Sequence, residues 1–229
     1  MSTLTTYETV DGVSVITLDD GKVNALSSAM LGEVQGRLDE AEAAALPVVL
    51  TGRAQTFSAG FDLRTPPEGW PLMLADGARL AERLLAFPCP TVVACNGNAI
   101  AMGGFVLLSA DVRIGAAGEF RIGLNEVAIG LTPPWFGIEI ARHRLSRPYF
   151  DRCLVTGELL EPDEAQAAGF LDSVVPANDL RATAMAAATT LAGVDRAAHA
   201  ATKLRARELP LAGVRDGIER IEQRAQPEW

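Results

Sequence analysis

The 229-residue chain is poor in lysine, histidine and cysteine, and each shortage excludes a class of function. Its 20 lysines and arginines are outnumbered by 29 acidic residues, which leaves a formal net charge of −9 at pH 7. We expect no nucleic-acid partner, because such partners require a basic surface. The two histidines and three cysteines, which lack close spacing, predict neither a metal site nor a disulfide framework, and the odd cysteine count is typical of a reducing compartment.

The chain also lacks a long hydrophobic run. Its longest uncharged apolar stretch, residues 99–110, is well short of the ~20 residues that a membrane-spanning helix needs. Residues 1–9 are polar and do not show the basic and then apolar pattern of a secretion signal. We therefore expect a cytoplasmic protein with no membrane partner.

Strand and helix patterns alternate over the first three quarters of the chain. Apolar runs predict strands at residues 13–18, 47–51, 91–95, 111–115 and 171–175, and helical spacing predicts helices at residues 27–45, 75–87, 102–110 and 163–168. Residues 65–71 contain three prolines and predict a loop. The alternation indicates an α/β fold with right-handed crossovers.

The pattern changes from Pro162 onward, and after the last predicted strand alanine and arginine become frequent. Three helical stretches follow, at about 178–192, 196–208 and 213–225. Because these stretches are only weakly apolar, we expect a helical arm that packs against the main domain or a neighbouring subunit. This divides the chain into a core of residues 1–176 and a C-terminal helical region of residues 177–229.

Two glycine-containing segments are candidates for binding a ligand through the backbone. Residues 57–63 (Phe-Ser-Ala-Gly-Phe-Asp-Leu) follow a predicted strand, and residues 96–105 lie at a predicted strand-to-helix junction. Helix N-termini have unpaired N–H groups, and glycine lets the backbone approach a ligand oxygen closely. The alternatives are a tight turn for the first segment and close backbone packing for the second.

Glu126 is an isolated carboxylate among leucine, valine and isoleucine. If these neighbours bury it, desolvation raises its pKa and suits it to accept and return a proton. The alternative is a solvated surface glutamate. Together, the glycine-containing segments and Glu126 suggest a site that holds a carbonyl oxygen and moves one proton beside it.

In this order, the two segments and Glu126 resemble the crotonase superfamily of enoyl-CoA hydratases and isomerases, over nearly the whole chain. Residues 21–27 (Gly-Lys-Val-Asn-Ala-Leu-Ser) resemble the Asn-Ala-Leu turn of the family, residues 57–63 its coenzyme A and oxyanion loop, and residues 97–104 its second oxyanion segment. The Thr-Gly, Glu-Ala and Ala-Gly-Phe-Leu-Asp motifs within residues 156–172 resemble the stretch that closes the family's core.

The resemblance implies a crotonase-type spiral of ββα turns, followed by C-terminal helices that mediate trimer formation. It also implies an acyl-CoA substrate, no cofactor beyond the coenzyme A thioester of that substrate, and a homotrimer or a dimer of trimers. By position, the backbone N–H groups of Phe61 and Met102 are the implied oxyanion donors. Met102 lies where glycine is commoner in the family.

A further departure from the family pattern concerns the acid–base groups. Two-glutamate hydratases place one carboxylate at the position of Phe105 and the other at that of Glu126. The run Gly-Leu-Asn-Glu at residues 123–126, followed by Gly130 and Pro133, resembles the single-glutamate Δ3,Δ2-enoyl-CoA isomerases. The resemblance therefore implies conversion of a 3-enoyl-CoA to a 2-enoyl-CoA, with Glu126 as both base and acid.

Two alternatives to isomerisation stay open. One is an enoyl-CoA hydratase that uses Glu126 alone with a poised water molecule. The other is a protein that binds acyl-CoA with little or no turnover.

We expect apolar side chains to line the pocket for the acyl group and cationic side chains to contact the phosphates of coenzyme A. Phe105, Trp135 and Phe136 are the expected lining, and Asp62 is expected to cap its loop. The full set of expected binding residues is Lys22, Ala25, Ala59, Gly60, Asp62, Leu63, Arg64, Gly103, Phe105, Trp135 and Phe136, with Lys203 as a further candidate cation.

Overall fold

The computed structural model describes residues 3–223. Its strands are β1 (Thr5–Val10), β2 (Val13–Leu18), β3 (Ala25–Leu26), β4 (Val48–Gly52), β5 (Thr56–Ser58), β6 (Gly60–Phe61), β7 (Thr91–Cys95), β8 (Asn98–Ile100), β9 (Val112–Ala116), β10 (Ile122–Gly123), β11 (Leu159–Leu160) and β12 (Ser173–Val175). Its helices are α1 (Ser28–Ala44), α2 (Trp70–Ala86), α3 (Met102–Ser109), α4 (Trp135–Arg144), α5 (Arg147–Val155), α6 (Pro162–Ala168), α7 (Leu180–Ala192), α8 (Arg196–Ala206) and α9 (Glu208–Gln223). None of the helices within residues 3–223 is long and apolar enough to cross a membrane.

A six-stranded sheet forms the centre of the molecule, in the order β1-β2-β4-β7-β9-β12. Strand β1 is antiparallel to β2, and every other neighbouring pair is parallel. A four-stranded sheet, β11-β10-β8-β5, and the pair β3-β6 contain the short strands that lie between the long ones in sequence. Strands and helices alternate as the sequence predicts, and the α/β class is confirmed.

The central sheet is covered on both faces. All five residues of β7 are buried, as expected of a continuous apolar strand in a parallel sheet. Side chains of α1, α2 and α3 belong to the main core on one face. On the other face α7 contributes Leu180, Ala184 and Ala188, which repeat every four residues and therefore lie on one side of that helix.

Helix α1 illustrates how closely local sequence signals set the element boundaries. Ser27 caps its start, because the Ser27 hydroxyl accepts a hydrogen bond from the Met30 N–H at 3.2 Å. The helix ends at Ala44, and the following residue, Ala45, adopts a left-handed conformation with φ 56°. These limits agree with the predicted helix at residues 27–45.

Helix α2 begins earlier than predicted. The sequence predicts a loop at residues 65–71 and a helix from residue 75, whereas the helix starts at Trp70 after a 3₁₀ turn at Pro67–Gly69. Pro71 occupies the first turn, where a backbone N–H has no partner to lose, so the prolines lead into the helix and do not exclude it. The sequence pattern likewise does not predict strand β1, whose residues are largely polar.

The three predicted C-terminal helices are present as α7, α8 and α9, and the end of the last prediction, residues 224–225, lies outside the described residues. Helix α9 packs on α2 and α4 of its own chain. A Cβ atom at Gly217 would lie 2.7 Å from the backbone nitrogen of Phe136, so glycine permits this close packing. The domain boundary at residue 176 and the role of this region in oligomer formation stay predictions.

A buried charge cluster centred on Asp111 ties α8 to the core. The Asp111 carboxylate accepts hydrogen bonds from Lys203 Nζ at 2.6 Å and from Arg207 Nη2 at 2.8 Å. Lys203 also donates to the carbonyl oxygens of Phe87 and Cys89. Lys203 is only 5% exposed, and the three hydrogen bonds that it makes within residues 3–223 are internal, so the expectation that it meets coenzyme A is wrong.

We predict that Asp111→Asn destabilises the fold by about 3–5 kcal/mol, because it leaves two buried cations without their counter-charge. Urea unfolding measures this loss. The matched control is Asp216→Asn, which removes the carboxylate of an exposed pair with Arg220 and should change stability by at most about 1 kcal/mol. Equal effects of the two substitutions would contradict a stabilising role for the cluster.

Candidate active site

The two glycine-containing segments predicted from the sequence lie against each other. Gly60, in β6, has φ 90°, a conformation that favours glycine. A Cβ atom at this position would lie 2.8 Å from the carbonyl oxygen of Ile100 and 3.3 Å from the backbone nitrogen of Met102. Glycine is therefore required at residue 60 if the backbone of residues 60–61 is to approach the start of α3.

A second close contact joins the same two segments at Gly103, the residue after Met102. A Cβ atom at Gly103 would lie 2.8 Å from the carbonyl oxygen of Ser58. The Ser58 hydroxyl is buried, donates to the carbonyl oxygen of Asn24 at 2.8 Å and accepts from the Gly60 N–H at 3.1 Å. Ser58 thus ties the first segment to the turn at Asn24 and fixes the backbone at Gly60, a role that the sequence does not reveal.

The Met102 N–H lies at the N-terminus of α3. Because Met102 is the first residue of the helix, its N–H has no acceptor within the helix, and the helix dipole favours negative charge there. Ala101 precedes it with φ 52° and ψ −118°, a strained conformation for alanine that sets the orientation of the following N–H. The Ala101 N–H donates to the carbonyl oxygen of Gly123, which holds this turn in place.

The side chain of Met102 does not obstruct the cavity, although glycine is commoner at this position in the family that the sequence resembles. Met102 is fully buried, with its sulfur 3.2 Å from the position that a Cβ would take at Gly77. Gly77 therefore gives room to the methionine and to the ring of Phe61, which would lie 2.6 Å from the same Cβ. The substitution is accommodated in the core.

A cavity of about 140 Å³ opens beside these two segments. Its walls are largely apolar, and its polar side chains are Asn125, Glu126 and Thr132. The residues that line it are Ala59, Phe61, Leu63, Trp70, Leu74, Ala101, Asn125, Glu126, Ile129, Leu131, Thr132 and Pro134.

Glu126 lies in this cavity and is almost completely buried, with 6% of its surface exposed. Its Oε2 atom has no hydrogen-bond partner among the described residues. Burial raises the pKa of Glu126 to about 7, as the isolated carboxylate predicted. The carboxyl group is therefore poised to exchange a proton near neutral pH.

The backbone after Glu126 is firmly held. The Glu126 carbonyl oxygen accepts hydrogen bonds from the N–H groups of Ile129 and Leu131, at 3.1 and 2.9 Å. The short turn at Val127–Ile129 ends at Gly130, whose φ of 81° explains the glycine. The turn therefore fixes the backbone from which the Glu126 side chain enters the cavity.

Asn125 is a polar residue of the cavity that is not among the site residues predicted from the sequence. Its Oδ1 atom is buried and, like Oε2 of Glu126, has no hydrogen-bond partner among the described residues. Buried polar atoms without a partner are rare in proteins, and each calls for an explanation. The position next to the catalytic candidate in the Gly-Leu-Asn-Glu run is the signal that could have identified it.

Comparison with known proteins agrees with this geometry. The family model described as enoyl-CoA hydratase/isomerase matches residues 8–217. The chain belongs to the enoyl-CoA hydratase/isomerase family. A solved enoyl-CoA hydratase/isomerase family protein from Pseudomonas syringae is 43% identical, with a TM-score of 0.94 and coverage of 97% of this chain and 98% of that one. The fold is therefore the crotonase fold.

The names of relatives do not separate the two reactions of the family. A Mycobacterium tuberculosis enoyl-CoA isomerase has a TM-score of 0.94 and 40% identity, and the match covers 97% of this chain and 99% of that one. The short-chain-enoyl-CoA hydratase of Clostridium acetobutylicum is 30% identical, over 75% of this chain and 69% of its own length. The relatives establish the family, and the choice between isomerisation and hydration has to be argued from the residues of the site.

The expected apolar lining needs correction. Phe105 and Phe136 are fully buried and stack edge to face with ring centroids 5.7 Å apart, in the core between α3 and α4. Trp135 is 47% exposed, and the Arg220 guanidinium lies over its ring. None of the three is among the residues that line the cavity, whose apolar walls come largely from residues 59–63, from α2 and from residues 129–134.

The other expected binding residues lie at or near the same two segments or are exposed. Ala59, Phe61 and Leu63 line the cavity, Gly60 and Gly103 allow the close backbone contact, and Ala25 pairs with Gly60 between β3 and β6. Asp62 caps its loop, because its carboxylate accepts from the Arg64 N–H at 3.0 Å and from Arg64 Nε at 2.8 Å. Lys22 and Arg64 are exposed, and their contacts with coenzyme A stay predictions.

We predict that Glu126→Gln stabilises the fold above neutral pH. A carboxyl group whose pKa rises from 4.5 to about 7 on folding makes the protein lose stability as pH rises through this window, by about 3 kcal/mol at pH 8. Glutamine carries no charge and escapes this loss. Urea unfolding of both proteins should show the gain at pH 8 and little of it at pH 5. A variant less stable than the wild type at pH 8 would contradict the buried, desolvated carboxylate.

Proposed function

We propose that this chain moves the double bond of a 3-enoyl-CoA to the 2-position, with Glu126 as the single acid and base. The observation that carries the proposal is that Glu126 is the only ionisable side chain among the cavity-lining residues in the described part of the chain. Water addition by two carboxylates needs a second one, and the corresponding position holds Phe105, which is buried in the core.

In the proposed reaction, the thioester oxygen lies between the N–H groups of Phe61 and Met102. The Glu126 carboxylate removes a proton from C2, and the electrons move onto the thioester oxygen as an enolate. Donors placed where negative charge develops lower the barrier, and removing one such donor typically costs about 10²–10³ in rate. The protonated Glu126 then returns the proton to C4, which leaves the double bond between C2 and C3.

The apolar walls of the cavity support this reaction. Leu74, Leu131 and Pro134 offer no partner for water, so the enolate is protected from solvent until the proton returns. A base with a pKa near 7 can both remove and return a proton at neutral pH. As proposed, the reaction uses no cofactor beyond the coenzyme A of the substrate.

We predict that kcat/KM for isomerisation of 3-hexenoyl-CoA rises about tenfold per pH unit below pH 7 and becomes constant above it, because the base must be deprotonated. Glu126→Gln should lower kcat by at least about 10²-fold and leave binding of a saturated acyl-CoA intact. Formation of the conjugated thioester, followed by absorbance, measures the rate.

The matched control for this experiment is Glu119→Gln, which changes an exposed glutamate seven residues earlier. It should retain the wild-type rate. Isomerisation that survives in Glu126→Gln would overturn the assignment. A wild-type protein that binds acyl-CoA tightly without converting 3-enoyl or 2-enoyl thioesters would instead favour the acyl-CoA-binding alternative.

One observation favours hydration as a second candidate activity. Asn125 Oδ1 and Glu126 Oε2 are two buried acceptors in the same cavity that have no partner within residues 3–223, and a buried water molecule needs two or more such partners. A water molecule held there could add through its oxygen to C3 of a 2-enoyl-CoA. Its proton would pass to Glu126 and from there to C2, so that one carboxyl group serves both steps.

We predict that Asn125→Ala lowers hydration of a 2-enoyl-CoA at least fivefold more than it lowers isomerisation, because only hydration requires the water to be held. Both rates are measured on the same preparation. Asn178→Ala, on the 3₁₀ turn before α7 and away from the cavity, is the matched control and should alter neither rate. An equal loss of both activities would show that Asn125 has no separate role in holding water.

A further inference from the structure

Helix α2 provides one wall of the cavity through a stripe of residues that face the oxyanion segments. Trp70 and Leu74 line the cavity, and Gly77 packs against Phe61 and Met102. These positions are four and three residues apart, so they lie on one face of the helix. The positions of Trp70 and Leu74 on α2 therefore determine how far the cavity extends from the backbone N–H groups of residues 61 and 102.

The exposure of the lining residues distinguishes the mouth of the cavity from its closed end. Leu63 is 62% exposed and Ile129 is 48% exposed, so they border the opening to solvent. Leu74 is only 5% exposed and Glu126 only 6%, so they lie at the inner end. An acyl chain that enters past Leu63 and Ile129 and reaches Glu126 with its C2 atom must place its remaining carbons against the wall of α2.

Trp70 is held in place at this wall. Its indole Nε1 donates a hydrogen bond to the carbonyl oxygen of Thr65 at 2.9 Å. Its ring meets the ring of Phe61 edge to face, with centroids 6.4 Å apart. A side chain with both a hydrogen bond and an aromatic contact gives way to a longer chain only at the cost of both interactions.

We propose that the site accepts short acyl groups, of about six carbons, and that Trp70 is the residue that sets this limit. The cavity volume of about 140 Å³ supports the size, since a protein cavity of about 150 Å³ holds one benzene molecule. A longer acyl chain would have to displace Trp70. This inference rests on the proposed function for the reaction at C2 and C4, but the limit on chain length applies to any acyl thioester that this cavity binds.

The first experiment measures binding, so that it does not depend on which reaction Glu126 performs. We expect the wild-type protein to bind hexanoyl-CoA at least tenfold more tightly than dodecanoyl-CoA in calorimetric titrations, because the longer chain does not fit. Trp70→Ala should reduce this preference at least tenfold by opening the wall. Trp70→Leu, which keeps a smaller apolar side chain at this wall, should reduce the preference by a smaller factor, and it replaces the alanine variant if that variant does not fold.

The matched control is Leu72→Ala, an apolar residue of the same helix that is 60% exposed and does not line the cavity. It should keep the wild-type preference. Wild-type protein that binds dodecanoyl-CoA as tightly as hexanoyl-CoA would overturn the proposal, and so would an unchanged preference in folded Trp70→Leu and Trp70→Ala. Failure of the proposed isomerisation, by contrast, would appear as absence of turnover with the chain-length preference intact.

The second experiment applies the same variants to turnover of 3-enoyl-CoA substrates of six, eight, ten and twelve carbons. We expect kcat/KM of the wild type to be highest at six carbons and that of Trp70→Ala to be highest at a longer chain. Each methylene group that gains apolar contact should contribute about fourfold in kcat/KM. A uniform fall in kcat/KM at every chain length would indicate a purely structural role for Trp70.

Discussion

The close approach of two backbone segments is the constraint on which the rest of the site depends. Residues 58–61 and 100–103 can meet only because Gly60 and Gly103 carry no Cβ atom, since one at either position would lie 2.8 Å from a carbonyl oxygen of the facing segment. The hydroxyl of Ser58 holds the backbone at Gly60, and the Ala101 N–H, which donates to the carbonyl oxygen of Gly123, holds the start of α3. Without it, the N–H groups of residues 61 and 102 would not lie near one cavity.

The buried carboxylate links the stability of the protein to its proposed chemistry. Glu126 is held in an apolar cavity with an oxygen that has no partner among the described residues, and the charged form is destabilised as a result. The same desolvation that costs the fold stability above neutral pH gives the group a pKa suited to moving a proton at pH 7. Functional sites commonly sacrifice stability in this way.

The C-terminal helices contribute to the site from a distance by holding α2. Lys203 and Arg207 of the α8 region donate hydrogen bonds to the carbonyl oxygens of Phe87 and Leu85, at the end of α2. Arg215 of α9 pairs with Glu82 of α2 at 2.6 Å. The first two turns of the same helix supply Trp70 and Leu74 to the cavity, so the C-terminal helices pack against the element that forms this wall.

Much of the fold and the centre of the site could be predicted from the sequence, because short-range patterns determine them. Helical spacing and Ser27 determined the limits of α1, the continuous apolar run determined β7, and the isolated position of Glu126 indicated its burial. Only the tertiary structure decided which apolar and charged side chains reach the cavity. Phe105 lies in the core, and Lys203 points inward to Asp111. Trp70 lies in a segment predicted as a loop, yet it forms part of the cavity wall. The reason is physical: a sequence pattern shows that a side chain is apolar or charged, but its contacts depend on helices and strands packed against it from distant parts of the chain.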